Sequence, residues 1–365
     1  MRAGLRFLIR NFYIPVFFIL VGALTLAFPM GNTSYGDAAK QNENSAVIFI
    51  YHRIGEDQYP NSNLGIEKFK EHIRELKKGE YNVLPIETIV DTLKKGDALP
   101  DKTVGLSFEG GYRSTLENAV PLLKDAELPF TIFLAVDRID WNAPHYMNWD
   151  EIKSLRKHKL IDIGALPAAY QHMTQIDEST RRSIMNRAIS RFREQFGTIP
   201  ALFAYPFGEY NINIETMVKE YGFKGGLGQH SGVTHEASNF YSLPRFSMTS
   251  SYGGLDRFQL TANTLPLPVY DVLPEDSVIS ETSPQIGFTV DPSIGDLSKL
   301  SCFASEQGKI NIERFDNRIE MRLPAETLQP RIRINCTIPV LSNEPGKAKR
   351  WRWFGMLFTT SLKET

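Results

Sequence analysis

Between Ala46 and Gly228, short β-branched or apolar runs alternate with longer stretches whose apolar residues recur every three or four positions. A chain that switches repeatedly from strand period to helix period must build a parallel sheet or barrel with helices packed outside it. Candidate strands run from Val47 to Tyr51, Val104 to Phe108, Phe130 to Val136, Leu160 to Gly164, Leu202 to Tyr205 and Phe223 to Leu227. Helical stripes lie between them: Ile66, Phe69, Ile73 and Leu76; Leu116, Ala119, Val120 and Leu123; Met185, Ile189, Phe192 and Phe196; and Ile214, Met217, Val218 and Tyr221, closed by Gly222. In such an architecture ligands belong at the C-terminal ends of the strands.

The pattern changes after Gly254. Pro266, Pro268 and Pro274 crowd one short stretch, and strand-like runs separated by turn residues follow. They are Gln285 to Val290, Ile310 to Ile312, Arg318 to Leu323, Arg331 to Cys336 and Trp351 to Thr359, which predict a small antiparallel β-sandwich. The expected organisation is an α/β unit over 44–255 and a β-sandwich over 265–365. Within the sandwich, basic and apolar residues alternate in Arg331-Ile332-Arg333-Ile334 and Trp351-Arg352-Trp353-Phe354. Either Trp351 and Trp353 fill the sandwich core with the arginines facing water, or tryptophan and arginine together present a surface for stacking on sugar rings.

Residues 1–40 read as an export segment. Arg2, Arg6 and Arg10 precede an apolar run over 12–30, and small and polar residues follow it. That order is the pattern of targeting, either as a cleaved signal peptide or as a retained inner-membrane anchor, so the rest of the chain is expected in the periplasm or outside the cell. Cys302 and Cys336 are the only two cysteines. In an exported chain such a lone pair favours a disulfide over a metal site, because two thiolates seldom hold zinc by themselves. A formal net charge of −1 with mixed signs provides no field to gather nucleic acid.

The segment Ser107-Phe108-Glu109-Gly110-Gly111-Tyr112-Arg113 ends one predicted strand and enters a helix. With the following Pro121-Leu122-Leu123 and Pro129-Phe130-Thr131-Ile132-Phe133-Leu134, it resembles the first motif, Thr-Phe-Asp-Asp-Gly-Tyr, of the polysaccharide deacetylases, the NodB-homology proteins of carbohydrate esterase family 4. Ile163-Gly164, Phe203-Ala204-Tyr205-Pro206-Phe207-Gly208-Glu209-Tyr210 and the opening Tyr51-His52-Arg53 extend the likeness over about residues 46–250. The resemblance implies a distorted (β/α) barrel. It also implies metal-dependent hydrolysis of N-acetyl groups on cell-envelope polysaccharide or oligosaccharide. In that chemistry one Asp and two His hold zinc or another divalent metal, a second Asp acts as base, and backbone N–H groups steady the oxyanion.

Carried over residue by residue, the resemblance places Glu109 at the base position and the backbone of Tyr205 at the oxyanion position. His52, Tyr112, Pro206, Phe207 and Arg245 are the substrate-binding candidates: His52, near a strand end, either faces the pocket of Glu109 or orients a loop, and Arg245, at a late strand end, either anchors Glu109 or makes a surface salt bridge. Gly110, Leu166 and Tyr170 stand at the three metal-ligand positions, and neither glycine nor leucine has a side chain that can donate an electron pair. A metal site rebuilt around His172 requires a register slip, and His230 is a loose match to a late family histidine. Two readings follow: a deacetylase of this family, with a divalent metal if the site is rebuilt, or a non-catalytic protein, with no cofactor, that binds glycan or an envelope partner.

Overall fold

The computed structural model describes Met1 and residues 44–279, 284–323, 330–340 and 350–360. The predicted export segment, Met1 aside, lies outside the described residues, and among those described no helix is long and apolar enough to cross a membrane.

Six parallel strands form the first unit in sequence order: β1 (Ser45–Tyr51), β2 (Thr103–Glu109), β3 (Phe130–Leu134), β4 (Ile161–Ala165), β5 (Leu202–Ala204) and β6 (Gly225–Leu227). All seven residues of β1 and all seven of β2 are buried, as strands covered on both faces require. A seventh segment closes the curl. The Leu243 N–H donates to Gly226 O and the Gly228 N–H to Leu243 O, each at 2.8 Å. Three residues on, β7 (Phe246–Ser247) pairs in parallel with Phe49 and Ile50 of β1. The result is the distorted (β/α) barrel expected from the sequence.

The N-terminal end of the barrel is plugged. Ile86 and Val90, from the helix Ile86–Lys95, are buried in one cluster with Ile48, Phe133, Leu202 and Leu227. Gly105 makes room for this helix, since a β-carbon there would sit 3.0 Å from Ile86 Cγ1. Helices outside the barrel have sequence-encoded starts: Asn148 and Glu151 form a reciprocal capping box, and Asp177 accepts from the Thr180 N–H. The helix Leu255–Ala262 belongs to the same core, with Phe258 stacked on Phe49 at 4.5 Å and on His72 at 4.1 Å.

The C-terminal part forms two sheets. One runs in the order Leu265–Pro266, Trp351–Thr360, Arg331–Pro339, Ser301–Ala304, Gly308–Ile310. The other runs Val269–Leu273, Gln285–Val290, Arg318–Arg322, Glu313–Phe315. The run expected over Ile310 to Ile312 is divided: Gly308–Ile310 stays in the first sheet, and the chain crosses at 311–312 to begin Glu313–Phe315 in the second. Cys302 and Cys336 face each other across paired strands and are joined by a disulfide.

Neither expectation for the tryptophans describes Trp353. Its ring packs edge-on against Phe246 of the barrel at 5.2 Å, and its indole N–H donates to Asn335. Arg331 and Arg333 are half-buried and do not simply face water. Strand alternation distinguishes two faces of this sheet but cannot show that one of them meets a second domain.

Replacing both cysteines with alanine should lower the unfolding free energy by about 3–4 kcal/mol, the loop-closure value for a 34-residue separation. Urea denaturation followed by tryptophan fluorescence measures the loss.

Candidate functional site

Glu109 ends β2 and turns its side chain into the barrel, where it is fully buried. Arg245 Nη2 donates to its Oε2 at 2.7 Å, the Tyr170 hydroxyl to its Oε1 at 2.8 Å, and Gln229 Nε2 to the same Oε1 at 3.3 Å. Arg245 is also fully buried, one residue before β7 in the segment that closes the barrel. Its Nε donates to Gly228 O at 2.7 Å, and its guanidinium lies 5.7 Å from the Phe133 ring centre. Backbone carbonyls of Gly228 and Leu227 and the Tyr170 phenol add hydrogen bonds to the buried pair, while Arg245 Nη1 is buried without a partner among the described residues.

The three metal-ligand positions are occupied in ways that oppose a metal. Gly110 has φ +110°, and a β-carbon on it would lie 2.5 Å from Tyr112 Cε2, so the Tyr112 ring fills the space a ligand side chain would need. Leu166 is wholly buried in the apolar interior of the barrel. Tyr170 has its hydroxyl proton engaged by Glu109 while the hydroxyl oxygen accepts from the Phe207 N–H at 3.3 Å. Burial, reinforced by Glu109, raises the Tyr170 phenol well above its ordinary value. Among the described residues no group of three or more His, Cys, Asp or Glu is placed to hold a metal ion. The donor set does not fit the family's divalent metal.

Around this centre the rim is built from both units. Pro206–Gly208 forms a single turn with Phe207 at φ +58°, and Gly208 permits the turn to seat against the Gln229 backbone, whose N lies 2.2 Å from where a β-carbon would be. The Tyr205 N–H, expected at the oxyanion position, donates instead to Leu227 O at 3.1 Å in the strand ladder. It is therefore taken. His172 makes no metal site: its ring lies parallel to Phe207 at 4.0 Å, and its Nδ1 is 2.6 Å from the buried carboxylate of Glu209. Arg331 reaches across from the sandwich to donate to Phe207 O, with its Nε 3.7 Å from Glu209.

His52 lies half-buried, its Nδ1 without a hydrogen-bond partner among the described residues. Burial lowers its affinity for a proton, Glu109 opposes that shift, and Arg245, Arg331 and Arg53 add to it, so His52 shares the electrostatic field of the centre. Tyr112 covers Arg53, whose guanidinium is held between the rings of Tyr112 at 3.9 Å and Tyr59 at 4.0 Å. His230 does not join Glu109. Its ring borders a separate cavity between the two units, and burial pushes its imidazole down to about 4.

Gln229, Glu209 and Arg331 were not among the residues singled out for the site. Glu209 stands inside the quoted third motif and is visible there as a carboxylate beside the turn. Gln229 and Arg331 carry no local signal, because each reaches the rim through tertiary contacts.

Residues 96–226 match the family model for polysaccharide deacetylase. A poly-β-1,6-N-acetyl-D-glucosamine N-deacetylase of Staphylococcus aureus is 22% identical over 231 residues, covering 56% of this chain and 79% of that protein. Among solved structures, a deacetylase of Streptococcus pyogenes in complex with acetate superposes with a TM-score of 0.55 at 17% identity, covering 60% of this chain and 98% of that one. IcaB from Ammonifex degensii superposes with a TM-score of 0.55 at 18% identity, covering 60% and 97%. At these identities the structural likeness establishes the fold, a deacetylase-type barrel. Residues 96–226 are thus similar to a polysaccharide deacetylase domain.

Glu109→Gln should cost about 3–5 kcal/mol of stability, because it leaves the Arg245 guanidinium buried without its counter-charge. Combining it with Arg245→Met should recover part of that loss. Urea denaturation of the wild type, both single variants and the double variant provides the comparison.

Proposed function

We propose that this protein is a non-catalytic member of the polysaccharide deacetylase family that binds a cell-envelope glycan at the barrel rim. The carrying observation is the state of Glu109. The carboxylate at the base position is bound by Arg245, Tyr170 and Gln229, and the positions beside it are filled by Gly110 with the Tyr112 ring, Leu166 and Tyr170. In the family reaction the metal supplies both the activated water and the Lewis acid that polarises the acetyl carbonyl. A carboxylate held by three donors, one of them a guanidinium, replaces neither of them.

Binding needs less. The rim keeps the aromatic surfaces of Tyr112, Tyr146 and Phe207, with His172 stacked beside the last, and such rings suit sugar faces. The relative from Staphylococcus aureus is named for a poly-β-1,6-N-acetyl-D-glucosamine substrate, and an oligomer of that polymer is the first ligand to test. Export through the segment over 1–40, as cleaved signal or retained anchor, places the protein where such a polymer occurs, and the Cys302–Cys336 disulfide suits an oxidising compartment.

The purified protein, loaded with zinc, desalted and analysed for metal, should retain no stoichiometric zinc and release no acetate from the oligomer. Calorimetry should show binding that weakens about tenfold in Phe207→Ala, the loss expected for one aromatic contact. One zinc per chain that disappears in His172→Ala, or acetate release abolished by Glu109→Gln, would return the protein to the hydrolases.

A further inference from the structure

The strand Arg331–Pro339 alternates from Arg331 to Cys336. Ile332, Ile334 and Cys336 enter the sandwich core, so Arg331, Arg333 and Asn335 share the opposite face. That face meets the barrel. Gly355, paired with Asn335, lies so close to the barrel that a β-carbon on it would meet Ser231 O at 1.9 Å. Asn335 itself accepts from the Trp353 indole, which packs on Phe246. At the other end of the same face, Arg331 donates to Phe207 O in the rim turn. Arg333 stands between these two contacts, turned toward the barrel by the period of the strand.

The charges gathered at this place do not balance. Arg245 pairs with Glu109 and Arg53 with Glu56, while Glu209 is shared between His172, at 2.6 Å, and Arg331, at 3.7 Å. The guanidinium of Arg333 has no hydrogen bond or ion pair among the described residues, although Tyr252 and Glu209 favour its charge. Four guanidiniums thus meet three carboxylates, each of them already engaged. Burial, and after it the like charge of Arg333, push the Arg331 guanidinium down to about 10. Three nitrogens of the cluster are also buried without a hydrogen-bond partner among the described residues: Arg245 Nη1, Arg331 Nε and His52 Nδ1. They share one field, since Glu109, Arg245, Arg331 and Arg53 all act on His52. Buried polar nitrogens without a partner are costly, and those of a guanidinium can be met only by an acceptor.

A neutral sugar offers hydroxyl acceptors but no charge to offset the surplus, and a cation is repelled by it. A carboxylate offers both acceptors and charge, in the planar form that a guanidinium fork fits. We propose that the glycan held at the barrel rim is anionic, with a hexuronate residue whose carboxylate is received by Arg333 and Arg331 from the sandwich side while Phe207 lies against a sugar face. The inference rests on the glycan-binding reading of the rim and adds the charge of the ligand to it.

The probes are the tetrasaccharide of alternating N-acetylglucosamine and glucuronate and its carboxyl methyl ester, which share one skeleton and differ in charge. In calorimetric titrations of the wild type, the charged tetrasaccharide should bind about tenfold tighter than the ester, the difference between a charge-assisted and a neutral contact. Arg333→Gln should erase that advantage and leave the affinity for the ester as it was, because Arg331 and not Arg333 holds the Phe207 turn. Added salt should weaken binding of the charged ligand alone. Equal affinities in the wild type overturn the inference, and that comparison needs no variant to fold. So does a preference for the charged ligand that survives in Arg333→Gln, or no binding of it by a protein that binds the N-acetylglucosamine oligomer. Failure of the rim reading is a different result: no oligosaccharide binds at all, or Phe207→Ala leaves every affinity unchanged.

Discussion

The ion pair between Glu109 and Arg245 joins the two ends of the barrel's construction. Glu109 ends β2, and Arg245 sits in the segment that closes the ring between β6 and β1. A closing segment with only a short regular ladder contributes few backbone bonds of its own. The guanidinium compensates by bonding Gly228 O while holding the carboxylate across the interior, 136 residues away in sequence. Tyr170 and Gln229 are oriented by the same carboxylate, and Tyr170 in turn accepts from the Phe207 N–H that begins the rim turn. The charged centre therefore organises the rim loops as a structural hub.

This arrangement differs in kind from a metal centre. A metal gathers its ligands by coordination, whereas the centre here gathers donors around a negative charge and neutralises it with a cation that the chain itself supplies. Both solutions stabilise loops at the open end of a barrel, but only the first leaves exchangeable positions for water and substrate. Here the groups around Glu109 bond one another and tie the rim loops to the barrel strands.

Much of the barrel was legible in the sequence, because six buried strands and their amphipathic helices each carry a period of their own. The seventh segment was less so: Pro244 interrupts it and only Phe246 and Ser247 pair regularly with β1. Arg245 as an anchor for Glu109 was readable from its place near a late strand end. Other features were not. Tyr112 folding back over Gly110 depends on a φ of +110° that no spacing announces, and Arg331 reaches Phe207 only because the sandwich docks beside the rim. Trp353 was misplaced for the same reason, since strand period reports two faces without naming the neighbour of either.

The packing of Tyr112 against Gly110 also bears on how such a chain can change. A carboxylate placed at position 110 would need both a backbone conformation that L-residues rarely adopt and the space now held by an aromatic ring. That ring is itself braced by Arg53 and Tyr146, so clearing it disturbs two further elements. A carboxylate at position 110 is thus penalised before any benefit of coordination exists. Steric interlocking of this kind couples residue 110 to Arg53 and Tyr146, so a change at one position of the rim is felt at the others.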